Sequence, residues 1–485
     1  MRVIPNVPIR PDVPVRPSPI LWARQNLAVS SPVWLRLAVV LGVLLVSFAL
    51  GYKGSSDQLQ YVLMGIAGVP VVFVFLRWPT LGIFGIIASG MLIKYTGPGG
   101  MNATVALVLL LVGLWVLDQL VFQNEIRIVI SRTMPPLYAL LVISFISFGM
   151  GQLPWFTYVQ SAPLDAQAGG FASYALSYAA YFLIANHVKT LRTLQWMTWA
   201  FVALGTVYVA GLLVLRALYL VGLLIPSMIT LFGEVFGTLG SNFYIWLIAI
   251  AYSQAIFNND LRPKWRILLG GIALTGVYVL LVLKFKDKSG WGPILVVVWM
   301  ITALRSWRLA MTVLIAGVLG GIPFIPQLLE SESYSLSTRL EILPIFWQLI
   351  QANPVFGIGF ANYHFYTELF SLRGWYTTFN SHNNYVDVAV QTGLLGLVCF
   401  LWFFGRVGVL AWELRERVTS GFAKAYVNGA IGGIVGMLLV SALGDWVLPF
   451  VYNIGLSGFR ISVIGWLFLG GLVVLEQIYY PPDEV

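Results

Sequence analysis

Three runs of residues between Glu330 and Leu397 hold most of the candidate chemistry in this chain. They are Arg339 within STRLEILPIFW, the run NPVFGIGFANY (Asn353–Tyr363) and the run SHNNYVDVAVQTGLLGL (Ser381–Leu397). His364 and His382, two of the three histidines, lie here as well. A histidine with an ordinary pKa of about 6.5 is largely neutral at pH 7 and accepts a proton from a hydroxyl. A base of that kind contributes about 10²–10⁴-fold to a reaction. Arginine presents a planar fork that matches phosphate. His382 is therefore a candidate base and Arg339 a candidate anion site, with His364 a second ring within reach of a substrate.

The elements that must position these residues are short. Thr338 and Glu341 have the T-x-x-E spacing of a capping box, which predicts a helix start there. Leu340, Leu343, Phe346, Trp347 and Ile350 would form its apolar side. Arg339 would then sit in the first turn, against the helix dipole. Pro344 falls inside that helix and Pro354 ends it. Gly357 and Gly359 mark a tight turn or a close backbone approach. Ser381 is a plausible N-cap for the next helix, with His382 in its first turn. Aromatic residues crowd the region: Tyr363, Phe365, Tyr366, Phe370, Trp375, Tyr376, Phe379 and Tyr385. Interfacial anchoring explains such rings; a platform for sugar rings or a polyprenyl chain is the rival reading.

The rest of the chain reads as membrane. Of 485 residues, 59% are hydrophobic and only 10% charged, against about 25% charged in soluble domains; mean hydropathy is +0.85. Apolar runs of the length that crosses a bilayer begin with 33–51 and 60–76 and continue as twelve more between 79 and 476. The expected fold is an all-α integral membrane protein, a polytopic bundle of roughly 12–14 transmembrane helices with one large, partly helical outward loop. Residues 1–32 form a Pro-rich cytoplasmic tail, 33–329 the main bundle, 330–390 the loop, 391–478 the C-terminal helices and 479–485 a second tail. The Pro-rich start lacks the apolar region of a cleavable signal, and the single cysteine, Cys399, excludes an internal disulfide.

The net charge of +9 does not point to nucleic acid, because Lys and Arg collect in the segments assigned to the cytoplasmic side. That assignment turns the 330–390 loop outward. Arg216, Lys284, Lys286, Lys288, Arg339 and Arg373 then stand on the outer face against the rule, which suggests an anion to bind. Headgroup contact is the plainer explanation for any one lysine. Asp118 and Asp445 are the charges near membrane depth, and His187 is a solvated helix end.

The three motifs in their order resemble the signature region of the O-antigen ligase/polymerase superfamily, roughly R-x-x-x-W, then N/H-P-x-x-G-x-G, then H-N followed by G-x-x-G. GTLGSNFYIW (Gly237–Trp246) resembles that family's glycine–asparagine segment, and FKDKSGWGPI (Phe285–Ile294) stands where members carry S-R-G. Here no arginine follows the serine, so Lys288 and then Arg216 are the candidates for the second anion-binding cation, with Lys286 beside them. Trp347 lies further on than the motif tryptophan.

The resemblance implies a metal-independent, cofactor-free glycosyltransferase of the bacterial inner membrane with its site facing the periplasm. The donor would be a glycan on undecaprenyl diphosphate, and the acceptor lipid A–core (ligase) or a carrier-linked glycan (polymerase). Arg339 would bind the diphosphate and His382 would assist a sugar hydroxyl in an inverting attack. Lys288, Arg216, Lys286, Asn383, Tyr363 and His364 would contact substrate. The outward carboxylates form no D-x-D pair, Glu330 and Glu332 being the nearest to one. Membrane lipid is the other expected partner. A transporter or flippase of a lipid-linked sugar is the alternative; it would use the same cations and rings without a base.

Overall fold

The computed structural model describes residues 74–75, 77–94, 101–123, 128–237, 239–284, 288–321 and 325–480. The tail at 1–32, the span at 33–51, nearly all of 60–76, Lys286 and residues after Tyr480 lie outside the described residues. Contacts divide the chain into two units, 1–81 with 110–128 and 82–109 with 129–485. The first contains the start of α1 (Pro79–Leu92) and the latter part of α2 (Ala103–Leu117), which runs on as a π-helical segment over Asp118–Gln123.

The second unit holds the whole candidate site. Its helices are α3 (Met134–Met150), α4 (Leu164–His187), α5 (Leu191–Leu220), α6 (Pro226–Phe236), α7 (Ser241–Phe257) and α8 (Pro263–Tyr278, π-helical to Leu283). Then come α9 (Lys288–Arg305), α10 (Trp307–Gly321), α11 (Ile325–Ala352) and the short α12 (Asn362–Tyr366). A two-residue hairpin, β1 (Ser371–Leu372) against β2 (Trp375–Tyr376), precedes α13 (Asn384–Arg417), α14 (Gly421–Leu443) and α15 (Gly455–Tyr479).

Seven described helices are long and apolar enough to cross a membrane: α2, α4, α5, α8 with its π-helical end, α13, α14 and α15. The pair α6 and α7, meeting at 81°, makes an eighth, and α1, α3, α9 and α10 are shorter apolar helices. These elements fall on the twelve apolar stretches expected between 79 and 476. The chain is an all-α polytopic membrane protein. Helix α15 is almost wholly enclosed, whereas α5 is mostly exposed. Small residues let the central helices approach: a Cβ on Gly433 of α14 would lie 2.6 Å from the buried Trp246 of α7.

Helix alternation sorts the ends. Lys189, Arg262, Lys264, Arg305, Arg308 and Arg417 fall at one end of the second unit, and the 353–383 region falls at the other with the α3–α4 and α14–α15 connections.

The expected helix start at Thr338 is overturned. Helix α11 begins at Ile325 and runs through Pro344, so Arg339 lies well inside it rather than at a positive dipole end. Glu341, expected to close the box, instead accepts from Arg373 Nε at 2.8 Å and from a terminal nitrogen of the same guanidinium at 3.1 Å. The buried face is Ile342, Ile345, Phe346, Leu349 and Ile350, while Leu340, Leu343 and Trp347 are exposed. Apolar residues on both faces hide the inner one from a periodicity argument, which needs a polar face for contrast.

Candidate active site

The site is built on an interlock of backbones. Helix α13 breaks at Gly393 (φ 74°, ψ 176°), which frees carbonyls before the break and N–H groups after it. The NPVFGIGFANY segment supplies their partners. The N–H groups of Ile358 and Gly359 donate to Val390 O and Gln391 O at 3.0 and 3.2 Å, and those of Leu394 and Leu395 donate to Pro354 O and Val355 O at 2.8 and 3.4 Å. Buried backbone must be satisfied, and non-helical backbone at membrane depth is tolerated where protein encloses it. A Cβ on Gly357 would meet Gln391 backbone at 2.4 Å, and one on Gly393 would meet Val355 O at 2.1 Å. Gly357 and Gly393 let these segments touch, and Gly359 lets the first of them approach Gly151 at the end of α3.

Above the interlock lies a separate small core. Ile342, Phe346 and Leu349 of α11, Tyr363 and Tyr366, Val390 and Phe450 pack together. Tyr363 is fully buried, stacked on Phe450 at 4.4 Å, and its hydroxyl donates to Asp387 Oδ1 at 2.6 Å. Ser381 Oγ donates to the same oxygen at 2.5 Å and accepts from Asn383 N at 3.0 Å. Asp387 Oδ2 is buried without a hydrogen-bond partner. Asn383 caps α13, its side-chain oxygen accepting from Tyr385 N at 2.9 Å and Val386 N at 3.4 Å.

Between these two anchors stands His382, at φ 50°. A left-handed backbone at a non-glycine residue costs on the order of 1–3 kcal/mol and persists where surroundings over-determine it. The expected first-turn position is thus corrected. Asn383, not Ser381, is the cap, because a side chain reaching two N–H groups outcompetes one that turns back on its own loop. His382 precedes the helix, with an exposed edge.

Its Nδ1 lies 3.1 Å from Asn453 Nδ2, which donates to Asp445 Oδ1 at 2.5 Å. Asp445 is buried and its other oxygen accepts from Phe450 N at 2.9 Å. Burial pushes the Asp445 carboxyl up from its ordinary value, against the pull of Phe450 N–H, Asn453 and His382. Burial likewise holds His382 below its usual range; Asp445 opposes this and the nearby Arg339 guanidinium reinforces it. Arg339 and His382 therefore sense each other directly. Among the described residues no carboxylate pairs with Arg339. Arg339 is half-buried on α11, and His382 stands exposed before α13.

Residues 237–401 match the family model described as O-antigen ligase. This match supports the likeness of the segment to the O-antigen ligase/polymerase superfamily. No curated protein matches the chain.

The matched segment contains Arg339, Tyr363, His364, His382 and Asn383, and of these Tyr363 is part of the small core. Tyr363 and Asn383 spend their polar oxygens on Asp387 and on the α13 cap, which makes them supports of the His382 loop. His364 Nδ1 pairs with Asn380 Oδ1 at 2.9 Å, and its ring stacks on Tyr452 at 4.4 Å. Lys288 opens α9, with its side chain outside the described residues. Arg216 lies upstream of the ligase segment near the end of α5, exposed, its guanidinium 5.3 Å from the Tyr219 ring centre.

Sequence reasoning singled out Asp445 as a charge near membrane depth but missed the rest of the α14–α15 connection. Asn384 holds it through Val447 N at 3.1 Å and Leu448 O at 2.7 Å, Asn380 through Tyr452 O at 3.1 Å. Asp445 and Asn453 lie beyond the ligase segment, yet complete the surroundings of His382. The one available signal was an acidic residue next to a span end.

Proposed function

We propose that this protein is a glycosyltransferase that moves a glycan from an undecaprenyl-diphosphate carrier to a sugar hydroxyl at the periplasmic face of the bacterial inner membrane. The observation that carries this reading is the match of residues 237–401, which include Arg339 and His382, to the O-antigen ligase family model. Arg339 binds the diphosphate and stabilises the negative charge that grows as it leaves. The acceptor oxygen attacks the anomeric carbon opposite the diphosphate, its proton passes to His382, and the breaking carbon–oxygen bond leaves its electron pair on phosphate. Attack from the opposite face inverts the anomeric centre. Desolvation and Arg339 both disfavour the charged form of His382, so the neutral ring can take that proton through whichever nitrogen is bare.

The test is transfer by the purified protein in liposomes containing a lipid-linked glycan, with each acceptor class offered in turn. A single block on lipid A–core identifies a ligase, and a ladder on the carrier identifies a polymerase. Movement of the donor across the bilayer without a new glycosidic bond would replace this reading with transport.

A further inference from the structure

His382 cannot be a base through both nitrogens, because Nδ1 already faces Asn453 at 3.1 Å. The substrate-facing nitrogen must be Nε2, and whether Nε2 carries a proton depends on what Asn453 offers to Nδ1. An asparagine amide has a donor end and an acceptor end. With Asp445 ionised, its oxygen 2.5 Å away demands the donor end. The same nitrogen then donates to Nδ1, and neutral His382 carries its proton on Nε2, where it blocks base action. With Asp445 protonated, its O–H donates to the amide oxygen. The turned amide then accepts from Nδ1–H, which leaves Nε2 bare. In each state every facing pair is one donor and one acceptor, whereas a mixed state sets two donors or two acceptors against each other.

We propose that Asn453 is a positioning residue that ties the tautomer of His382 to the charge of Asp445. This rests on the base role given to His382 above. The carboxyl end of the arrangement is enclosed, while His382 and Asn453 stand at the surface. Asp445 is buried, Phe450 N–H holds its second oxygen, and its burial keeps the protonated form within reach. The other ionisable groups that sense Asp445 are Asp387 on α13, Tyr363 on α12 and Tyr174 on α4, besides His382 itself. None of these three is hydrogen-bonded to Asn453, so the amide is the one bonded path between the carboxyl and the ring. The relay also assigns work to a connection outside the O-antigen ligase segment.

Ring-nitrogen NMR on the full-length protein in nanodiscs, labelled with ¹⁵N-histidine, reads the tautomer directly. His382→Ala identifies the signals among three histidines. Asp445→Asn puts a permanent N–H donor where the carboxylate stood and keeps an acceptor for Phe450 N–H. It is expected to move the His382 proton from Nε2 to Nδ1. In an Asn453→Leu background the same substitution is expected to move nothing. An unchanged tautomer in Asp445→Asn, or an equal shift with Leu at 453, overturns the proposal. In the transfer assay Asp445→Asn, which leaves Nε2 bare, is expected to raise kcat about tenfold with an unchanged donor KM, and Leu at 453 is expected to cancel the gain; a change confined to KM overturns it. The NMR result stands apart from the assay: a tautomer shift in a protein that transfers no glycan supports the relay and removes the glycosyl-transfer reading.

Discussion

Gly357 and Gly393 lie on segments whose backbones touch, each with positive φ (73° and 74°), and neither has room for a Cβ. Two motifs that look like separate signatures are one structural device, an irregular segment of turns filling the break of a membrane helix. That device sets the height of His382 above the bundle, because α13 leads directly from the His382 loop to the break.

Gly393→Ala should therefore act on stability first. The left-handed conformation alone costs about 1–3 kcal/mol, and the contact with Val355 O adds to it. A lowered thermal midpoint in detergent, with transfer falling in parallel, is the expected outcome. A midpoint equal to wild type would show that the interlock does not constrain the fold.

Tyr363→Phe keeps the ring stack on Phe450 and deletes one of the two hydroxyl donors to Asp387. Leaving a buried acceptor short of a partner costs about 1–3 kcal/mol. The variant should melt earlier yet retain the donor KM, because Tyr363 is fully buried beneath the site. A raised donor KM with an unchanged melt would mean that the hydroxyl meets substrate instead.

Two arginines in the region should behave differently. Arg373 pairs with Glu341 on an exposed face, and exposed pairs contribute little. Arg373→Ala should leave both melting and transfer near wild type. Arg339→Lys keeps the charge but loses the planar fork, and most transfer should disappear. Equal effects of the two substitutions would remove Arg339 from the site.

The pH dependence has a definite sign. Burial, reinforced by Arg339, holds the folded pKa of His382 below its unfolded value of about 6.5. Between those two values the unfolded chain binds more protons, so stability present above about 6.5 is lost as pH falls through the folded pKa. Burial lowers His364 in the same direction. Thermal midpoints should fall on acidification below about 6.5, less steeply in His382→Gln. Titrating His382 by NMR in Arg339→Gln should show a higher pKa than in wild type. A lower one would place the guanidinium elsewhere.

The sequence carried the helices and the motif residues further than it carried their relations. Apolar runs located the membrane helices because bilayer thickness sets their length. The candidacy of Arg339 and His382 rests on residue type and motif. The phase of α11 was not, since its exposed Leu340, Leu343 and Trp347 are as apolar as its buried face. Nor was the role of Asn453, which lies 71 residues from His382 in sequence and meets it only through the packing of α13, α14 and α15. Hydrogen bonds across such distances leave no local pattern. The cap was misplaced for a related reason: Ser381 and Asn383 are both good caps, and Asp387, which draws Ser381 away, sits a full turn into the helix.

The most direct test of the active site is His382→Ala in liposomes with purified lipid-linked glycan and acceptor. Donor binding should match wild type, because Arg339 is untouched, while transfer should fall by roughly 10²-fold or more. Transfer at the wild-type rate would contradict the assignment of His382 as the residue that takes the acceptor's proton.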